Sequence, residues 1–325
     1  MEATDRLMNN HGGESRSEHI PVLTQEVVQY LTTGRGGTLV DGTVGLGGHA
    51  EALLLADPDV RVVGIDRDPH ALECARERLR CFGERVSLVH GNYADIGEHL
   101  ARIGLGPVDG LLLDLGVSSM QLDDPGRGFS LRADGPLDMR MDTSRGQTAA
   151  EWLATASVDD IARVIGQYGE ERYARRIARA IEAARGQGPI QTTSQLVEVV
   201  HRAVPGIYFA QRIDPATRTF QALRIAVNGE LAALEQGLRE GFQALALGGA
   251  FVAISFHSLE DRIVKTFFRE RAASCVCPPD FPECRCGKKV EAEILTRKPV
   301  IASDLEVQKN PRARSAKLRA ARRVA

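Results

Sequence analysis

Short apolar runs alternate with amphipathic stretches through the first third of the chain. Nearly continuous apolar strands separated by helices are typical of a parallel sheet whose two faces are both covered. The pattern therefore predicts an α/β fold. The predicted strands are 39–40, 60–65, 86–89 and 108–113, and the predicted helices are 21–31, 49–55, 70–80 and 96–103.

This alternation stops after Asp114, where a polar, glycine-rich stretch leads into roughly 90 mainly helical residues. Connections within compact domains are usually only a few residues long. We therefore interpret 126–215 as an inserted all-helical subdomain that recognises the substrate. Its predicted helices are 148–153, 158–165, 173–184 and 194–203. The main domain is then discontinuous, comprising 19–125 and 216–325, and residues 1–18 are predicted to be a flexible tail.

The α/β pattern resumes beyond the insertion. One long helix is predicted over 220–245, a buried strand over 250–255 and a helix from there to about 271. The chain then ends in a basic strand and tail, because 312–325 contains six arginines or lysines and no acid.

A glycine cluster follows the first predicted strand, within Leu-Val-Asp-Gly-Thr-Val-Gly-Leu-Gly-Gly-His-Ala at 39–50. Glycines let a backbone turn sharply and approach a ligand closely. The loop satisfies the dinucleotide pattern G-x-G-x-x-A, with Asp66 near the spacing of a ribose-binding acid. Asp41 beside the loop favours the cationic S-adenosylmethionine instead, because a carboxylate repels a pyrophosphate. The residues favour the methyl donor, and a dinucleotide and a purely structural turn remain alternatives.

Polar residues end four successive predicted strands. Asp41, Asp66, the Asn92-Tyr93 pair and Asp114 occupy these positions. Ligands of open α/β sheets lie beyond the carboxyl ends of the strands, so we expect these side chains to share one crevice. Alternatively, each acid caps the helix or turn that follows it.

Bulk composition indicates a globular protein, with 325 residues, 43% hydrophobic residues and a net charge of −2. This balance excludes a uniformly basic nucleic-acid coat but permits a local basic patch. The sequence shows neither a secretory signal nor a membrane span, so we expect a cytoplasmic protein. Cysteines at 275, 277, 284 and 286 indicate either a structural zinc site or an unliganded cytosolic loop with four thiols.

Long motifs spread along the chain match a single family. They are DGTVGLGGH at 41–49, DRDP at 66–69, LDLGVSS at 113–119, QLDD at 121–124, GPLDMR at 135–140, YGEE at 168–171, TRTFQ at 217–221, SFHSLEDR at 255–262 and NPRARS at 310–315. With these motifs the chain, from about residue 19 to its end, resembles the bacterial ribosomal RNA small-subunit methyltransferase H family, also called MraW.

The resemblance implies a Rossmann-like class I S-adenosylmethionine-dependent methyltransferase sheet carrying a helical insertion. It also implies methylation of the exocyclic N4 amine of one cytidine in the decoding region of 16S rRNA, within the small subunit or its precursor. A nucleotide-dependent oxidoreductase and a non-catalytic RNA-binding assembly factor are the alternatives. The cofactor contacts that the resemblance implies are Gly47, Gly48, His49, Asp66, Tyr93, Asp114 and Gln121.

Two residues are candidates for the proton transfer that amine methylation needs. No Pro-Pro-aromatic clamp follows the fourth strand, so Asp114 is the leading hydrogen-bond acceptor for the amine. His257, after the next strand, is the second candidate.

Basic residues of 312–323, together with Arg172, Arg175, Arg176 and Arg179, are candidates for phosphate contacts, although the helical arginines also fit a solvated face interleaved with acids.

Overall fold

The computed structural model describes residues 21–32, 34, 36–210, 213–278, 283 and 285–325. The tail predicted at 1–18 lies outside them. One seven-stranded sheet has the order β3-β2-β1-β4-β5-β7-β6. The strands are β1 (Gly37–Asp41), β2 (Val60–Asp66), β3 (Val86–His90), β4 (Val108–Asp114), β5 (Leu245–Ser255), β6 (Ala292–Ile294) and β7 (Lys317–Arg323).

The strand directions place the carboxyl ends of β1 to β5 at one edge. Neighbours among these five strands pair in parallel, whereas β7 pairs antiparallel with both β5 and β6. In the register, Asp41 lies opposite Gly64 and Leu112, two residues before the ends of both neighbouring strands. The parallel α/β sheet predicted from the apolar runs is confirmed.

Thirteen α-helices connect or cover these strands in the described part of the chain. Those before the predicted insertion at 126–215 are α1 (Thr24–Leu31), α2 (Gly48–Ala56), α3 (Pro69–Leu79), α4 (Ile96–Arg102) and α5 (Ser119–Asp123). The helical region holds α6 (Ala149–Thr155), α7 (Val158–Tyr168), α8 (Ala174–Arg185) and α9 (Thr193–Ala203). The rest are α10 (Ala216–Asn228), α11 (Glu230–Ala244), α12 (Ser258–Ala272) and α13 (Asp304–Lys309), and 3-10 turns span Arg80–Arg85, Tyr93–Asp95, Pro125–Arg127, Gly206–Ala210 and Pro311–Ser315.

Buried apolar side chains form three clusters. Successive residues of a strand point to opposite faces, and Leu39 and Val40 of β1 accordingly belong to the two clusters that cover the two faces of the sheet. The third cluster lies among the helices and runs from Phe129 to Leu223. It includes residues of α10, which begins one residue beyond the predicted end of the insertion at 215.

The single helix predicted over 220–245 is wrong. The chain turns at Gly229, whose φ of 59° is left-handed, so that α10 ends there and α11 begins. The physical reason lies in the packing, because one straight helix cannot serve two cores. Phe220 and Leu223 of α10 pack in the helical cluster, whereas Leu234 and Leu238 of α11 pack on the sheet.

The strand predicted in the basic C-terminal segment is present as β7. It is an inner strand of the sheet that lies between β5 and β6. Within the described ranges, none of the helices has the length and apolar character needed to span a bilayer.

Candidate active site

A crevice opens at the carboxyl ends of β1, β2 and β4, where the acids of the sequence were expected to meet. Six of the predicted cofactor residues line it, namely Gly48, His49, Asp66, Tyr93, Asp114 and Gln121. Gly47 lies next to Gly48 as the N-cap of α2. Asp41 lies beneath the crevice and is 1% exposed. The structure therefore brings the strand-end polar residues together.

The glycine loop is held in place by Asp66. Gly45 has φ of 50° and Gly47 has φ of 80°, conformations that side chains with a Cβ rarely adopt. The backbone N–H of Gly45 donates to Asp66 Oδ2 at 2.8 Å, and that of Asp68 donates to Asp66 Oδ1 at 2.9 Å. Asp66 thus fixes the loop in addition to facing the crevice.

A polar chain links β1 to β4 across the floor of the crevice. The N–H of Thr43 donates to Asp41 Oδ1 at 3.1 Å, and the hydroxyl of Thr43 accepts from the N–H of Asp114 at 2.6 Å. His49 Nε2 lies 3.4 Å from Asp114 Oδ2, an ion-pair distance longer than a good hydrogen bond. Asp41 Oδ2, Asp114 Oδ1 and His49 Nδ1 are buried, with no hydrogen-bond partner among the described residues.

Burial shifts the proton affinities of this group. It raises the pKa of Asp41 to about 7, and the nearby charges of Asp114 and Asp66 add to the effect. It also raises the pKa of Asp66 to about 6. Burial disfavours the charged form of His49, but the Asp114 and Asp41 carboxyls outweigh it and raise the pKa of His49. Crowded carboxyls of this kind favour a cationic ligand.

Gln121 lines the crevice, and its side-chain amide also makes hydrogen bonds within the protein. Its Oε1 accepts from the N–H of Ser118 in a capping box at the start of α5, and its Nε2 donates to Asp68 Oδ2 at 2.8 Å. Asp68 also caps α3, where its side chain accepts from the N–H of His70.

Arg127 is a positioning residue that sequence reasoning missed. It donates to Asp68 Oδ2 at 2.8 Å and to the carbonyls of Arg140 and Met141 at 3.0 and 2.9 Å. It thereby ties the start of α3, beside the sheet, to the start of the helical region. The only sequence signal was a lone arginine between glycines, at 126 and 128, which does not reveal so distant a partner.

Tyr93 packs tightly at the back of the crevice. A Cβ on Gly237 would lie 2.5 Å from Tyr93 Cδ2, so the glycine makes room for the ring. Burial raises the pKa of Tyr93, which keeps its hydroxyl neutral.

Glu230 and Glu260 also line the crevice, and they were not identified from the sequence. Arg224 donates two hydrogen bonds to the Glu230 carboxylate, at 2.9 and 2.8 Å.

His257 does not line the crevice. It is the N-cap of α12, where its Nδ1 accepts from the N–H of Glu260 at 3.4 Å, and its Nε2 lies 3.1 Å from Glu260 Oε1. Burial works against the charged form of Glu260, but the hydrogen bond and charge of His257 and the charge of Arg224 lower the pKa of Glu260. His257 reaches the crevice only through Phe256 and Glu260, which do line it.

A second groove adjoins the crevice and shares Val117, Ser119, Asn310 and Arg312 with it. It runs between the helical region and the segment after α13. Basic and aromatic side chains line it, including Phe129, Arg132, Phe220, Arg224, Lys309 and Arg314.

The C-terminal cations divide into two groups. Arg312 and Arg314 line the groove, where Arg312 also pairs with Asp123 at 2.6 Å. Arg319 is 8% exposed and pairs with Asp261 at 2.7 Å, and Arg322 pairs with Glu293 at 3.1 Å. Arg323 donates to main-chain carbonyls at the end of α11. Only the first group is placed for phosphate contacts.

The arginines predicted on α8 and just before it lie apart from both cavities. Arg172 stacks on the rings of Tyr173 and Tyr208 at 4.8 and 5.0 Å. Arg175, Arg176 and Arg179 are exposed on α8. Their placement fits a solvated helix face.

The cysteine cluster also lies away from the crevice. Sγ atoms of Cys275, Cys277 and Cys286 lie within 4.8 Å of one another. Cys284 falls outside the described residues, so the four-ligand zinc prediction stays a prediction.

Comparisons with known proteins identify the family. Residues 16–324 match the model of the MraW methylase family. The ribosomal RNA small subunit methyltransferase H of Syntrophotalea carbinolica is 55% identical over 94% of this chain and 98% of its own length. The protein of the same name from Geobacter sulfurreducens is also 55% identical, over 94% of this chain and 99% of its own.

Solved structures share less sequence. A structure described as a putative methyltransferase from Streptococcus mutans in complex with SAH covers 93% of this chain and 95% of its own, with 11% identity and a TM-score of 0.43. Since the family model covers nearly the whole sequence and relatives with 55% identity match it end to end, the chain belongs to the MraW methylase family.

Proposed function

We propose that the chain transfers a methyl group from S-adenosylmethionine to the exocyclic N4 amine of one cytidine in the decoding region of 16S rRNA, within the small subunit or its precursor. Membership of a methylase family supports methyl transfer, and the names of its relatives support the small-subunit rRNA as substrate. The observation that carries the choice of an amine is Asp114, a carboxylate in the crevice on the segment that also borders the groove.

The crevice suits S-adenosylmethionine, which supplies an activated methyl group on a cationic sulfur when it is bound. Asp41 Oδ2 and Asp114 Oδ1 are buried carboxylate oxygens that have no partner in the described protein, so they suit a ligand carrying positive charge and N–H donors. A dinucleotide pyrophosphate beside the same carboxyls would be repelled. The crevice therefore favours the methyl donor over the oxidoreductase alternative.

Different residues around the donor site face different parts of S-adenosylmethionine. The turn at Gly45 and Gly47 brings backbone close to the ligand, and Asp66 faces the position where ribose hydroxyls are bound in folds of this type. The half-buried ring of Tyr93 lines the crevice and offers a flat apolar surface for the adenine.

Asp114 is the residue placed to assist the amine. The lone pair of cytosine N4 is delocalised into the ring, so a carboxylate that accepts a hydrogen bond from the N4–H makes the nitrogen more nucleophilic. As the new C–N bond forms and the C–S bond breaks, the nitrogen gains positive charge and loses a proton to Asp114 or to water. His49, next to Asp114, holds the carboxylate in position through its ion-pair contact.

The groove provides the approach for RNA. Amine chemistry on a stacked, paired base is sterically blocked, so the target base must leave its stack. The exposed Arg132 and Arg314 offer charges for the flanking phosphates. Phe129 and Phe220 are 7% and 5% exposed and form part of the apolar wall of the groove.

The test is methyl transfer to small subunits isolated from cells that lack this enzyme. The full chain and labelled S-adenosylmethionine are added, and the rRNA is digested to nucleosides and mapped. We expect label in one N4-methylated cytidine of the decoding region. Label at another atom or nucleotide would overturn the proposed position. Cofactor binding without transfer to subunits, precursors or naked 16S rRNA would instead support the non-catalytic assembly factor.

A further inference from the structure

The segment between α12 and β6 carries three thiols that converge, although it has no regular secondary structure in its described part. We propose that Cys275, Cys277 and Cys286 bind a zinc ion that holds this segment folded. The site is independent of methyl transfer, because none of the three cysteines lines the crevice or the groove.

The distances fit a metal centre. All three Sγ atoms lie within 4.8 Å of one another, and those of Cys275 and Cys286 are 3.8 Å apart. Two thiolates bound at about 2.3 Å to a tetrahedral zinc ion stand about 3.8 Å apart. A disulfide would bring the sulfurs to about 2.0 Å, so the observed spacing matches two ligands of one ion.

Local backbone geometry supports thiolates at these positions. The N–H of Cys277 points at Cys275 Sγ from 3.3 Å, and an N–H that donates to sulfur stabilises its negative charge. Gly287, directly after Cys286, has φ of 60°, which lets the chain reverse once it has presented the third thiol. Lys288 and Lys289 follow at once and offset the charge of the thiolates.

The base of the segment is closed by an ion pair and a main-chain hydrogen bond. Glu291 pairs with Arg271 at 2.6 Å, and its N–H donates to the carbonyl of Arg271 at 2.9 Å. Among the described residues beyond this closure, Val276 is 61% exposed and Val290 is 42% exposed. These two valines therefore do not hold the cysteine-bearing ends together by apolar burial, whereas a structural zinc ion supplies this kind of stabilisation outright.

The experiment uses the full chain, purified in reducing buffer and exchanged against a weak chelator. Zinc per chain is measured by mass spectrometry, and cobalt substitution tests the ligands through the absorption of tetrahedral cobalt thiolates. The wild type is compared with the double variant Cys275→Ser, Cys286→Ser. Cys81→Ser is the matched control, because Cys81 is an exposed cysteine outside the segment.

We expect about one zinc ion per chain in the wild type and the control, and at least a tenfold loss in the double variant. The double variant should still bind S-adenosylmethionine, which shows that the main domain is folded. A wild type that takes up neither zinc nor cobalt in reducing buffer would overturn the proposal. So would a folded double variant that retains the full zinc content.

Discussion

The crevice and the groove are neighbours with opposite chemistry. The crevice gathers acids at strand ends, among them Asp66 and Asp114, and its floor holds the buried Asp41. The groove, which shares Val117 and Ser119 with the crevice, is lined instead by exposed arginines and by phenylalanine rings. The acidic crevice therefore suits a cationic ligand, and the basic groove suits a polyanion.

The crevice and the groove also differ in how rigidly their side chains are held. The crevice is built on strand ends and on main-chain hydrogen bonds to Asp66, which fix positions closely. The groove lies between the helical cluster and the segment after α13, and its charges stand on long side chains. Chemistry that needs sub-ångström placement belongs on the first kind of support, and recognition of a flexible strand suits the second.

Loss of the Asp114 carboxylate should have the largest effect. We expect Asp114→Asn to reduce the rate of methyl transfer about 10² to 10⁴-fold at saturating cofactor, because the amine loses its proton acceptor. Single-turnover transfer to small subunits measures it. Asp109→Asn is the control, since Asp109 lies on the same strand at its opposite end. Near-normal single-turnover rates in Asp114→Asn would remove Asp114 from the mechanism.

Asp66 should affect the cofactor and leave RNA binding unchanged. In Asp66→Asn the acceptors for the Gly45 and Asp68 N–H groups are weakened and the ribose loses a charged partner. Hydrogen bonds to charged groups contribute about 1.5–3 kcal/mol, so affinity for S-adenosylmethionine should fall roughly 10- to 100-fold. Calorimetry measures this loss, and filter binding of an rRNA fragment should be unaltered. An equal loss in both assays would show that the two cavities are not independent.

Removing charges from the groove should weaken RNA binding and leave cofactor binding unchanged. We expect the double variant Arg132→Gln, Arg314→Gln to lower the slope of log affinity against log salt by about one to two for an rRNA fragment, with cofactor affinity unchanged. Arg322→Gln is the matched control, because Arg322 belongs to the same basic C-terminal run but pairs with Glu293 on the sheet. A salt slope that moves in the control and not in the double variant would refute this placement of RNA.

The smallest expected effect is a change of the free energy of unfolding with pH. It follows from the burial of the Asp41 and Asp66 carboxyls. The pKa values of about 7 for Asp41 and about 6 for Asp66 exceed the ordinary 3.8. Between pH 3.8 and these raised values, the folded chain therefore binds more protons than the unfolded chain. Stability of the cofactor-free protein should therefore fall as pH rises from 5 to 8, by at least about 1 kcal/mol. The raised pKa of His49 acts in the same direction.

Urea unfolding at pH 5, 6, 7 and 8 measures this trend. Acids with lowered pKa values, such as Asp138, add stability as pH rises only below pH 5, and so do not oppose it in this range. Asp41→Asn should flatten the profile, whereas Asp159→Asn, at an exposed helix position, should not. A wild-type stability that rises with pH over this range would contradict the assigned burial effect.

Local patterns predicted the sheet and the acids at its edge, because an apolar strand followed by a polar residue is a short-range signal. The same local reasoning failed at Gly229. A glycine within a helical pattern is compatible with a continuous helix, and the break became necessary only because α10 and α11 pack on different cores. The helix caps at Asp68 and Thr148 were local too, and both side chains accept from main-chain N–H groups.

The sequence by itself determined the alternating strands and helices up to Asp114, the glycine turn and the polar strand ends that form the crevice, since each depends on residues close in the chain. Tertiary structure decided the rest. It placed His257 as a cap on α12, made Asp66 a clamp on the glycine loop and tied Asp68 to Arg127. It also divided the C-terminal arginines between groove and sheet. These outcomes depend on contacts between residues far apart in sequence, whose geometry no local pattern specifies.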